Sequence, residues 1–184
     1  MRSLWQLPRQ VTIGGKNYQI SADFREILEI LGVLDDPQYP EFLRWQVALQ
    51  LFYGCEIPPE DQLQAMEYLS FFLRCGAEET PGPRLMDWQQ DAAVIISEVN
   101  RAAGQEIRSL EFVHWWTFLG WFHAIGDGQL ATLISLRDKL RRGKPLEDWE
   151  REFYRQNRHR VELQKRHSPE EQAQIDRLNQ LLGN

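Results

Sequence analysis

The sequence predicts a mainly α protein, a multi-helix single domain with a small N-terminal β-hairpin. Two observations carry that expectation. Residues 11–20, VTIGGKNYQI, are the one stretch that alternates apolar and polar residues with period two. Nearly everything after it repeats its apolar positions at three- and four-residue spacing between helix start and stop signals. At 184 residues the chain is also long enough to bury a sizeable core.

In chain order, Val11 and Ile13 face Tyr18 and Ile20 across Gly14-Gly15, which reads as a hairpin that must lie against helices to be stable. Asp23 and Glu26 stand in capping-box spacing before a first helix with apolar positions at 24, 27, 28 and 31. A second helix begins around Pro40 and stops near Gly54, and a third opens with the acids of PPED and stops at Gly76. ETPGPR (79–84) is a Pro/Gly break. Beyond it are expected a helix from Met86 to Gly104, a Trp-rich helix from Glu111, a helix capped by Asp127 and ending at Gly143, and another over PLEDWEREFYRQN. A last amphipathic helix has Ser168 as cap, Pro169 in the first turn and Glu171 at the box position. The expected division is 1–166 as the helical domain, with its hairpin at 11–20, and 167–184 as a C-terminal helix that is docked or partner-binding.

Net charge is −6, which speaks against a general nucleic-acid binder, but it is unevenly placed. Residues 1–136 hold nine Lys/Arg against eighteen Asp/Glu, whereas residues 137–166 hold eleven against six. An acidic body with a basic segment fits either a self-complementing fold or a docking surface. The start has no apolar region of signal-peptide character and no later stretch is clean enough to span a bilayer, so a soluble cytoplasmic protein is expected. Cys55 and Cys75 form no CxxC pair and read as free thiols.

Candidate chemistry is sparse. Glu111-x-x-His114 has the spacing of a di-iron ligand pair, but such a site needs the motif twice, and Gly120, Gln156 and Gln164 precede the other histidines by three. There is no nucleophile elbow, no phosphate loop and no zinc-protease motif. No enzyme, cofactor or metal is expected. The segment EFVHWWTFLGWFHAIGD is apolar almost all round and reads as a buried spine, with Trp88, His114, Trp115, Trp116, Phe118 and Phe153 as structural core. Arg137, Lys139, Arg141, Arg142 and Lys144 are candidate partner contacts, weighed against a solvated face of local ion pairs. Ile175, Leu178 and Leu182 on the last helix are further candidates, as a stripe that packs at home or is offered to a groove.

WQQDAAVIISEVNRAAGQEIR, HWWTFLGWF, ISLRDK and GKPLEDWEREFYRQN together resemble the bacteriophage gene-product-fifteen family, from phages and prophages of Gram-positive bacteria. The resemblance spans about residues 8–157. It matches the motif at Trp88, Asp91, Asn100, Arg108, His114, Trp115, Trp116, Arg137, Lys139, Gly143, Lys144, Glu150, Phe153 and Tyr154, and departs from it at Pro145. It implies a non-enzymatic tail-assembly protein, a chaperone or adaptor for the tape-measure protein, acting in the host bacterial cytoplasm. Tail-tube protein and further copies of the chain are the other implied partners, and no membrane is. The alternative is a nucleic-acid-associated helical protein using the basic segment 137–166.

Overall fold

A computed structural model describes residues 5–78 and 82–182, the side chain of Leu182 excepted. The fold is mainly helical with a two-stranded antiparallel hairpin at its start. The chain gathers into two compact units: residues up to Gly76 together with those from Lys165 onward, and Ala77–Gln164. This differs from a division at 166/167. The break falls beside the Pro/Gly loop, of which residues 79–81 lie outside the described residues.

In the first unit, β1 (Gln10–Ile13) and β2 (Lys16–Gln19) pair with Val11 opposite Tyr18 and Ile13 opposite Lys16. Gly14 and Gly15 both take positive φ, the conformation a two-residue turn of this kind requires. Val11 and Ile13 are buried, so the hairpin contributes one face to the core. It is tied to the helices by Gly14 N donating to Gln64 Oε1 and Ser21 N donating to Phe52 O. Helix α1 (Phe24–Leu34) starts at Asp23, whose carboxylate accepts from Arg25 N, and buries Phe24, Ile27 and Ile30 against α2 (Glu41–Tyr53). Pro40 is the N-cap of α2, and Gly54 ends it in the left-handed conformation. The acids of PPED form a 3-10 turn, Pro59–Asp61, and α3 (Gln62–Leu73) follows it. Phe52 lies 5.1 Å from Phe72 and 6.3 Å from Tyr68, ring centre to ring centre, which locks α2 to α3.

In the second unit, α4 (Ala92–Ala103) begins six residues later than the sequence predicts. The Asp87 carboxylate accepts from the backbone N–H of Gln89 and Gln90, while its own N–H donates to Asp91. That local turn competes with the helix. Helix α5 (Trp115–His123) also starts late, because His114 is its N-cap and Glu111 belongs to the non-helical lead-in. Helix α6 (Gln129–Arg141) is preceded by Gly128, not capped by Asp127. Its end is served instead from α4: Glu98 Oε1 accepts from Leu130 N at 3.2 Å, and a Cβ at Gly128 would stand 2.5 Å from that oxygen. Helix α7 (Asp148–Gln156) has a complete capping box between Glu147 and Glu150, and a single turn, α8 (Arg158–Val161), follows. Helix α4 packs on α5 and α6, and α6 on α8.

The last helix, α9 (Pro169–Leu182), groups with the first unit. The Ser168 hydroxyl accepts from Glu171 N, and the Glu171 carboxylate accepts from Ser168 N, giving the expected box. No helix among the described residues is long and apolar enough to cross a membrane.

Candidate partner-binding groove

On α2, Phe42, Trp45, Gln46 and Leu49 recur at positions i, i+3, i+4 and i+7, one face of a helix. Gln62 and Met66, one turn apart on α3, complete the walls of a groove of about 500 Å³ that Glu41 also lines. It continues past Gln46, Leu49 and Gln62 into a smaller cavity of about 180 Å³ bounded by Gln50, Cys55, Glu56 and Ile57. Phe42 is 71% exposed and Leu63, next to Gln62 on α3, 70%. Apolar side chains this open on adjoining helices are what a docking surface looks like before it is covered. Glu41 and Glu56 stand among the lining residues, with no Lys or Arg. In the sequence, Cys55 stands out only as a free thiol, and Leu63 and Met66 only as apolar positions of a helix.

The basic segment is arranged differently. Arg137 is buried at 5% exposure and forms an ion pair with Asp91, its two terminal nitrogens 2.7 and 2.8 Å from the carboxylate oxygens. It also donates to the carbonyls of Leu85, Arg160 and Val161. Gln90 adds a second strap, donating to Glu162 O and accepting from Gln164 N. Arg137 is therefore a clamp that closes the second unit, which corrects its place among the candidate partner contacts. Lys139 lies 2.6 Å from Glu150, and Arg141 and Arg142 both hold Asp138. Arg151, Arg155 and Arg158 pair with Asp148, Glu152 and Glu162. The Lys139 ammonium holds the Glu150 carboxyl below the usual carboxylate range, and Arg141 and Arg155 do the same for Asp138 and Glu152. For Glu162 the Tyr154 hydroxyl is the first cause and Arg158 the next. Lys144 is exposed. Of the stripe on α9, Ile175 and Leu178 are exposed, and the Leu182 side chain lies outside the described residues.

The Trp-rich segment is built for packing. Trp115, Trp116 and Phe118 are buried, Trp88 and Phe153 half-buried. Trp115 stacks on Phe118 at 5.4 Å, and Trp88 sits at 5.8 Å from Trp115 and 5.0 Å from Phe122. His114 is buried, and its Nδ1 accepts from Trp116 N at 3.1 Å. Glu111 is exposed in the lead-in, so Glu111 and His114 do not share a helix face. Among the described residues no three of His, Cys, Asp and Glu are grouped to hold a metal ion. Cys55 is exposed, and burial pushes the Cys75 thiol up.

The family profile described as Bacteriophage Gp15 protein matches residues 5–163. The chain belongs to the bacteriophage Gp15 family. Membership places it among phage structural and morphogenesis proteins. No curated protein and no solved structure matches it. Many of the residues that carry the resemblance have physical roles inside the second unit. Asp91 and Arg137 form the clamp, and Lys139 and Glu150 join α6 to α7. Asn100 Oδ1 accepts from Ile107 N, Arg108 pairs with Glu106, and Tyr154 donates to Glu162. Gly143 takes the positive φ that ends α6. In this Gp15 protein the signature specifies a scaffold.

Proposed function

We propose that this Gp15 protein is a non-enzymatic tail-assembly factor, a chaperone or adaptor that holds the tape-measure protein of its phage or prophage. The observation that carries the reading is the open apolar groove between α2 and α3, with Phe42 exposed at it. An unassembled tape measure is long, helical and apolar, and a factor that holds it must offer apolar surface that releases readily. Shallow grooves used by many copies along one chain give that combination of modest affinity and high avidity. Tail-tube protein and further copies of the chain belong to the same proposal as secondary partners, and the host cytoplasm is where assembly takes place.

A nucleic-acid role through residues 137–166 has little support. A phosphate-tracking surface needs cations free to displace counterions. Arg137 is buried, and Lys139, Arg141, Arg142, Arg151, Arg155 and Arg158 each stand against a carboxylate of the same segment.

Co-expression with the tape-measure protein tests the proposal. The expected result is a tape measure that stays soluble and co-purifies with this chain but aggregates without it. A tape measure equally insoluble in both cases overturns the proposal.

A further inference from the structure

We infer that the α2/α3 groove receives an amphipathic helix whose apolar stripe is flanked by Lys or Arg; the inference rests on the reading of the chain as a binder of a helical partner. The shape comes first. The lining residues of α2 run from Glu41 to Gln50, about 15 Å at 1.5 Å per residue, so the floor accommodates about three turns of a helix laid along it. Its apolar contacts, Phe42, Trp45, Leu49 and Met66, are spaced to take side chains at i, i+3 or i+4, and i+7 of the incoming helix.

Charge then selects the occupant. Residues 5–76 carry ten Asp/Glu against five Lys/Arg. Of these cations, Arg25 is held by Asp23, and Arg44 donates to the carbonyl of Leu34. Glu41 and Glu56 line the groove toward its two ends, and Glu60 and Glu67 are exposed on the 3-10 turn and on α3. A helix flanked by cations meets this rim favourably, and one flanked by carboxylates is repelled.

The same criterion argues against a second copy as occupant. The apolar stripe of α9 is flanked by Glu170, Glu171 and Asp176, with Arg177 as the one cation between Pro169 and Leu182. Lys139, Arg141, Arg142, Arg155 and Arg158 of another copy are engaged with its own carboxylates. A separate, basic helical partner remains.

The test is peptide binding to the full chain by fluorescence anisotropy at low and moderate salt. Three labelled probes are used: a 14-residue model helix with a Leu/Phe stripe flanked by lysines, the same helix flanked by glutamates, and residues 168–184 of this chain. The lysine-flanked probe is expected to bind at least about tenfold tighter than the other two, and less tightly as salt rises. Phe42→Ala is expected to weaken it by about tenfold. Glu41→Lys with Glu56→Lys is expected to weaken it by a similar factor and to improve the glutamate-flanked probe. All three replaced side chains are exposed, and far-ultraviolet circular dichroism confirms that each variant is folded. Equal binding of both model helices, preference for the 168–184 peptide, or binding indifferent to these variants overturns the inference. A tape measure that co-purifies with Phe42→Ala as well as with wild type refutes the groove and leaves the chaperone reading standing. Lysine-probe binding without any tape-measure co-purification does the reverse.

Discussion

The Arg137 guanidinium satisfies one carboxylate and three carbonyls from a site almost without solvent. Arg137→Ala leaves Asp91 buried without its cation, and the expected cost is about 3–5 kcal/mol, read as a shift of the urea unfolding midpoint. Asp91→Ala with Arg137→Ala is expected to cost less than the two single changes together, because the lone buried charge is gone. Glu98→Ala removes the acceptor for Leu130 N, and about 1–3 kcal/mol is expected from that unsatisfied donor. Acid acts on the same unit with a definite sign. Arg108 holds the exposed Glu106 carboxyl down at about 2 from an ordinary value of 4.5, and Asp138, Glu150, Glu152 and Glu162 are also lowered. Groups lowered by folding contribute stability that is fully present above their unfolded values and lost as pH falls through the folded ones. Unfolding midpoints are therefore expected to fall between about pH 4.5 and pH 2. A midpoint flat across that window contradicts the ion-pair account.

Among the elements, sequence patterning located the hairpin and the long helices, since period and punctuation are local properties. It placed Gly54 and Gly104 at helix ends, where both take left-handed conformations. Gly104→Ala is expected to cost about 1 kcal/mol for that reason, checked by thermal unfolding. The starts of α4, α5 and α6 differ from the sequence expectation for a common cause. The Asp87 turn, the His114 imidazole cap and the Glu98 carboxylate reaching across from α4 outrank the intrinsic signal of the chain. Helix α9 keeps its predicted capping box, but its apolar side chains are open, and Gln38 donating to His167 O ties the segment before it. Truncation after His167 is expected to change the stability of the remainder by less than about 1 kcal/mol. A larger loss indicates that α9 is packed at home in solution.

For the whole molecule, several of the residues most conspicuous in the sequence are turned inward, while others that look ordinary in it are open. Trp115, Arg137, Lys139 and Glu150 stand out because of their chemistry, and the structure uses them to hold the second unit together. Phe42, Trp45, Leu49 and Met66 look in the sequence like any core stripe; only the fold reveals that nothing among the described residues fills the groove they line. Periodicity identifies an apolar face without identifying which faces are covered. Division of labour between scaffold and groove is the central claim, and one comparison tests it most directly. The tape-measure protein is co-expressed with wild type, with Phe42→Ser, and with Arg141→Ala/Arg142→Ala/Lys144→Ala, and the soluble co-purifying fraction is measured. All four side chains replaced are exposed. The groove variant is expected to lose most of the soluble tape measure while the basic variant keeps it. Loss with the basic variant and retention with the groove variant would contradict the account.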